Sequence, residues 1–221
     1  HEDLINNLWM NPDEIPDNGL DDDNNGLRDD YHGWDFANDA ALSIGHNHGT
    51  HVAGTIGAEG NNGIGVTGVT WDVNLMSLDV FGTNKGASDI NILDAIYYAV
   101  DNGADVINMS LGGDYELTVS DFIDQNPEYH NIYSEALTYA VDNGTTVVIA
   151  AGNDNNNFDD GWMAAPAYLS EFIDGVISVG AVANNGQKSY YSNYGSEVTI
   201  GAPGGSFFSG GSFNEQDTIS E

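Results

Sequence analysis

Three histidines lie within six residues, in His46-Asn47-His48-Gly49-Thr50-His51-Val52-Ala53-Gly54-Thr55. A neutral imidazole can take a proton or hold a metal. The pattern His46-x-His48-x-x-His51 offers zinc three ligands, with a fourth ligand or an open water position still required. The small residues after His48 instead suit a histidine at the start of a tightly packed helix, where it would be a rigidly held base. A third reading makes these histidines ordinary surface residues. A second candidate is Asn153, which follows Val147-Val148-Ile149-Ala150-Ala151-Gly152. That strand ends in small residues and presents an amide at its carboxyl end, where open α/β sheets bind ligands. The amide can donate a hydrogen bond to an oxygen that gains charge during acyl transfer; alternatively it is a strand-end turn residue. A third candidate is Asp21-x-Asp23-x-Asn25-Gly26, with oxygen ligands at alternate positions before a glycine, as in a calcium loop. Asp29 falls at the ninth position of such a loop, but His32 occupies the twelfth, so an intact EF-hand is not expected. The plain alternative is a solvated acidic turn.

The intervening chain alternates strand and helix patterns, which predicts α/β layering around a largely parallel sheet. Strands are expected over 73–81, 105–110, 146–150, 176–182 and 197–200. Ser88 and Asp89 cap a helix whose apolar face is Ile92, Leu93, Ile96, Tyr97 and Val100, closed by Asn102-Gly103. Residues 131–141 repeat that pattern and end in Asp142-Asn143-Gly144. The polar stretch 11–30 is expected as a surface excursion and 204–211 as a loop. One domain is expected, without repeats.

Composition narrows the partners. The 221 residues include 35 acidic and 3 basic ones, a formal net charge of −32. Nucleic acid and anionic membranes are repelled by such a surface. The charge calls for bound cations, a saline medium or both. Without cysteine, disulfides, thiolate nucleophiles and zinc–thiolate sites are ruled out. No apolar run reaches membrane-spanning length, and His1-Glu2-Asp3-Leu4 lacks the basic start of a signal peptide.

The run His48-Gly49-Thr50-His51-Val52-Ala53-Gly54-Thr55 resembles the histidine segment of the subtilisin-like serine proteases. The resemblance makes His48 the general base. Ala150-Ala151-Gly152-Asn153 resembles the family's oxyanion segment, which gives that role to Asn153. Residues 105–113 resemble the strand and glycine turn bordering the cleft. There Ser110, Leu111 and Gly112 would pair with an extended substrate through their backbone. Residues 60–66 resemble the structural calcium loop: Asn62 would offer its side chain, Gly60, Ile64 and Val66 their carbonyls, and Asp3 a carboxylate. Related proteases carry an acidic insertion like Asp21-Asp22-Asp23, which implies a second calcium site from Asp21, Asp23 and Asn25, finished by Asp29 or Asp30.

The implied fold is the subtilisin-like three-layer α/β arrangement, a mostly parallel central sheet flanked by helices, incomplete at both ends. The family's aspartate and serine complete the triad in the order Asp, His, Ser. Asp17-Asn18-Gly19 follows Ile15-Pro16 rather than a buried strand, and is rejected as the aspartate. Gly161-Trp162-Met163-Ala164 has no serine at the nucleophile position, while Ser206, Ser209 and Ser212 sit in glycine-rich sequence without helix context. The chain therefore reads as the middle of a catalytic domain, with the nucleophile segment expected downstream and the aspartate upstream, and as inactive by itself. The resemblance implies a secreted, extracellular, calcium-stabilised endopeptidase, monomeric, acting on protein or peptide substrates. A non-catalytic calcium-stabilised binding module on the same fold is the main alternative, and a histidine metal hydrolase the third.

Overall fold

A computed structural model describes residues 1–41, 47–81 and 86–205. Two compact units emerge, His1–Asn102 and a second from Gly103 onward.

In the first unit, β1 (Gly33–Asp35) pairs antiparallel with β2 (Ala40–Ala41) and parallel with β3 (Ser77–Asp79). The strand expected over 73–81 is thus limited to three paired residues, because β1 offers only three partners. Leu75 instead bridges Leu8, and Val73 packs on helix α1 (Asn47–Gly57). A Cβ on Gly57 would come within 2.4 Å of the Val73 side chain, so the small residue permits this close packing. Helix α2 (Asp89–Asp101) starts as its sequence predicts. Ser88 Oγ accepts from the Asn91 amide at 3.2 Å, an N-cap of the kind worth about 1 kcal/mol. Its buried face includes the expected Ile92, Ile96 and Val100, together with Ala95, Tyr98 and Ala99.

The second unit is built on four parallel strands in the order β4-β6-β8-β9: β4 (Val106–Met109), β6 (Thr146–Ala150), β8 (Val176–Val182) and β9 (Ile200–Pro203). β6 and β8 match their expected spans. The last strand lies further on than 197–200, since its ladder with β8 begins at Val179↔Ile200 and leaves Glu197 in the turn before it. Between β4 and β6 come β5 (Gly113–Tyr115), α3 (Val119–Gln125) and α4 (Pro127–Asp142); β7 (Met163–Ala165) pairs antiparallel with β5. The α4 helix begins earlier than its apolar repeat indicates. Pro127 occupies its first turn, where a missing N–H costs nothing. Short α3 escapes periodicity, although Thr118 caps it through the Asp121 amide at 3.1 Å.

Tyr133, Ala136, Leu137 and Ala140 of α4 are buried together with Val147 and Ile149 of β6. Phe122 extends this core, with ring centroids 4.9 Å from Tyr115, 5.5 Å from Tyr129 and 5.7 Å from Tyr168. The expected excursion over 11–30 is mostly exposed, yet Asn11, Glu14 and Asp30 within it are buried.

One buried carboxyl of the second unit bears on stability. Glu197 is 4% exposed, and its Oε2 accepts from the Ala164 amide at 3.4 Å. Burial pushes its pKa up to about 8 against the opposing pull of that amide, and Glu171, Asp159 and Asp114 each add a smaller repulsion. An acid whose pKa is raised by folding favours the folded state while protonated, and that contribution fades as pH rises from about 4.3, the ordinary value, through the folded one. Thermal melting should therefore show the wild-type protein losing stability between about pH 5 and pH 9. Glu197→Gln should flatten that loss and exceed wild type at the alkaline end by more than about 1 kcal/mol.

Candidate functional site

His48 lies in the first turn of α1 and is exposed, as is His51 three residues on. The helix carries both side chains on a backbone held at its far end by Gly54 and Gly57, both buried. His46, the remaining member of the zinc pattern, lies outside the described residues.

In the second unit, parallel registry aligns the strand ends. Met109 of β4 stands opposite Ile149 of β6, and Ile149 opposite Ser178 of β8. Ser110–Gly112 and Ala151–Asn153 consequently leave the sheet at the same carboxyl edge. Ser110 and Leu111 are half-buried, and Ser110 Oγ accepts from Asn108 Nδ2 at 2.9 Å. Gly112 has φ +157° and is exposed; a Cβ there would lie 2.9 Å from the Ala165 carbonyl oxygen, so the turn passes close to β7. Asn153 is exposed, after a Gly152 whose φ of +106° falls in the region glycine favours.

Asp114, just beyond the Ser110–Gly112 turn, ties the two segments together. Its Oδ2 accepts from Asn156 Nδ2 at 3.2 Å and from Asn193 Nδ2 at 2.9 Å. Burial raises the pKa of this carboxyl, as do its hydrogen bond to Asp154 and the charge there, against the two amide donors. Neither Asp114 nor Asn193 has a sequence signal of its own; both are ordinary polar residues until the strands bring them to one edge.

The acidic residues fall into two groups in the first unit. Asp3 is 2% exposed, and its oxygens accept from Asn62 Nδ2 and the Val66 amide, each at 2.8 Å. Asn62 Oδ1 accepts from the Ile64 amide at 2.9 Å. A Cβ on Gly65 would sit 2.2 Å from Asp3 Oδ2, so the loop can close on this carboxylate only with glycine there. Asp3, Asn62, Ile64 and Val66 meet here through side-chain and backbone N–H donors, and Gly60 lies in the same loop against the Trp71 ring. Both Asp3 oxygens are satisfied by protein donors.

The 11–30 segment differs. Carboxylate oxygens of Glu14, Asp21 and Asp23 lie within 4.8 Å of one another, a span that oxygens around one calcium at 2.3–2.6 Å can occupy. Asn25 joins them, its Nδ2 donating to Asp23 Oδ2 at 3.0 Å and to Asp30 Oδ2 at 2.9 Å. Asp29 stands apart from this group and accepts from the Asn18 and Gly19 amides. Glu14, seven residues before Asp21 and outside any loop spacing, was not foreseen.

Two buried oxygens here, Glu14 Oε2 and Asp30 Oδ1, make no hydrogen bond. Their partner oxygens do: Glu14 Oε1 accepts from the Asp22 amide at 2.6 Å, and Asp30 Oδ2 from the Tyr98 hydroxyl at 2.6 Å. Burial and the Asp30 hydrogen bond raise the Tyr98 pKa well beyond its usual range, so the hydroxyl remains a donor. A buried carboxylate oxygen left bare is costly in water-free surroundings. The donor set fits a hard, oxygen-seeking cation such as calcium.

A family model described as the subtilase family matches residues 1–221. Thermitase of Thermoactinomyces vulgaris is 35% identical over 178 residues, covering 80% of this chain and 56% of that protein. An extracellular protease of Xanthomonas campestris is 36% identical over 227 residues, covering 95% of the chain and 36% of the relative. Among solved structures, proteases from Pseudoalteromonas arctica align with a TM-score of 0.66 at 33% identity, over 98% of this chain and 62% of that one. The chain therefore spans roughly a third to a little over half the length of these two sequence relatives. With a family match along its whole length and parallel strands that deliver Ser110–Gly112 and Asn153 to one sheet edge, the chain belongs to the subtilase family.

Proposed function

We propose that the protein of which these residues form part is a serine endopeptidase, cleaving peptide bonds in proteins through an acyl-enzyme. The observation that carries this reading is the shared carboxyl edge of β4 and β6, where a strand edge suited to an extended peptide adjoins an amide donor. His48 takes the proton from the attacking serine hydroxyl and returns it to the departing amine. Asn153 donates from its side-chain amide to the oxygen that becomes negative in the tetrahedral intermediate. Backbone groups of Ser110, Leu111 and Gly112 hold the substrate extended, which gives affinity with little demand on its sequence. The mechanism also needs an orienting aspartate and a nucleophilic serine.

In the full-length protein, His48→Ala should lower kcat by about 10⁶-fold, the size of loss seen when one member of such a triad is removed. Asn153→Ala should lower kcat by about 10²–10³-fold, the subtilisin magnitude, with KM little changed. Peptide hydrolysis and labelling by a serine-directed covalent inhibitor measure both. Wild-type protein with neither activity nor labelling would favour a calcium-stabilised binding module instead.

We also infer a structural calcium ion. Glu14, Asp21 and Asp23 would hold it, and Asp3, Gly60, Asn62, Ile64 and Val66 form the second set. At either site the ion would supply positive charge to gathered carboxylates and carbonyls, with no part in bond cleavage. Chelation should lower the melting temperature, and calcium at a hundredfold excess over Kd should restore about 3 kcal/mol. Glu14→Gln should remove most of the response if the first site dominates.

An extracellular location is in keeping with the name of the Xanthomonas relative, and with the excess of acid, which suits a medium rich in cations. Protein substrates follow from the proposed chemistry, and a monomer is the proposed state. Among the described residues no helix is long and apolar enough to cross a membrane.

A further inference from the structure

The loop that carries Asn153 is held by one buried amide. Asn193 is 1% exposed and lies 40 residues beyond Asn153 in the chain. Its Oδ1 accepts from the Asp154 amide at 3.0 Å and the Asn156 amide at 2.9 Å. Its Nδ2 donates to the Ala151 carbonyl and to Asp114 Oδ2, both at 2.9 Å. Both side-chain donors and both acceptor positions of the amide are therefore used. Its backbone N–H also donates to the Gly152 carbonyl at 3.1 Å. These bonds reach the two residues before Asn153 and the first and third residues after it, while Asn153 itself stays exposed.

We propose that Asn193 is a positioning residue for the oxyanion donor, fixing Asn153 by clamping the backbone on both sides of it and joining that loop, through Asp114, to the Ser110–Gly112 turn. This rests on the endopeptidase reading above. The chemistry requires an amide. Aspartate in its place would turn an oxygen toward the Ala151 carbonyl and the Asp114 carboxylate, and alanine would remove the acceptor from the Asp154 and Asn156 amides. Gly152 follows from the same clamp, because a Cβ there would lie 2.3 Å from Asn193 Nδ2 and 2.8 Å from Asp114 Oδ1. Lys188 adds a lesser brace: its Nζ donates to Asn155 Oδ1 at 2.6 Å and to the Ser192 carbonyl at 3.1 Å. The amide that positions the donor stays neutral at every working pH, so the geometry of the loop does not depend on titration at position 193.

The test is a double-mutant cycle in the full-length protein, with Asn193→Ala, Asn153→Ala and the pair. Asn193→Ala should lower kcat by up to about 10²-fold with little change in KM, as a displaced catalytic group does. In the Asn153→Ala background the same change should cost little, because no donor remains to be misplaced. A loss of equal size in both backgrounds, or no loss from Asn193→Ala when Asn153→Ala is damaging, would overturn the positioning role and leave the endopeptidase reading intact. A harmless Asn153→Ala would overturn both. Hydrogen exchange on the wild-type protein gives a readout independent of any variant's folding: the exposed Asp154 and half-buried Asn156 should have protected amides, and free exchange at both would refute the clamp.

Discussion

The parallel ladder of β4, β6 and β8 is the constraint on which the second unit depends. Hydrogen bonding sets Met109 beside Ile149 and Ile149 beside Ser178, and a parallel register admits no slip without turning alternate side chains to the wrong face. Val147 and Ile149 are fully buried, so a one-residue shift would exchange them for Thr146 and Val148, which are only half-buried or polar. Once that register is set, the points at which the strands leave the sheet are set as well. The Ser110–Gly112 turn and the Asn153 loop then emerge side by side, and the Asp114 carboxylate ties them through Asn156 and Asn193.

Charge imposes a different demand on the first unit. Ordinary folding brings apolar groups together and leaves carboxylates in water, yet Asp3, Glu14, Asp30 and Asp35 are all buried here. Three solutions are visible. Asp3 is enclosed by donors from the 60–66 loop, Asp35 accepts from the Asn38 amide at 2.9 Å and its side chain at 2.8 Å, and Asp30 receives the Tyr98 hydroxyl. Glu14 and Asp30 each retain a bare oxygen all the same. A chain with 3 basic residues has few cationic side chains with which to meet that need, which is the physical ground of the calcium proposal.

Much of this organisation was legible beforehand, for physical reasons that differ between residues. Helix α2 could be read because its cap, apolar repeat and closing Asn102-Gly103 agree, and β6 and β8 because they are short, β-branched-rich segments, their alternate residues buried in the structure. His48 and Asn153 stood in motifs long enough to be recognised. Short paired segments such as β2 and β7 were not legible, since two or three residues carry no period and their pairing is decided by distant partners. Glu14 is a similar case. Its place beside Asp21 and Asp23 depends on how the 11–30 segment folds back, with the Asp22 amide turned onto Glu14 Oε1, and no ligand spacing encodes that.

Asn193 shows why the residues hardest to read can matter most to a site. A motif records groups that touch substrate, because their chemistry restricts which residue can stand there; a brace is restricted only by the three-dimensional arrangement of the donors and acceptors it must satisfy. The loop around Asn153 presents two N–H groups and a carbonyl that strand pairing leaves unused, together with the Asp114 carboxylate. Only a side chain carrying two acceptor positions and two donors answers all four, and among uncharged residues that means an amide. A charged brace could supply stronger single bonds, but it would place a fixed charge beside an oxyanion that must be stabilised by dipoles already in position. A buried neutral amide braces the loop on both sides of Asn153 without itself adding a charge there.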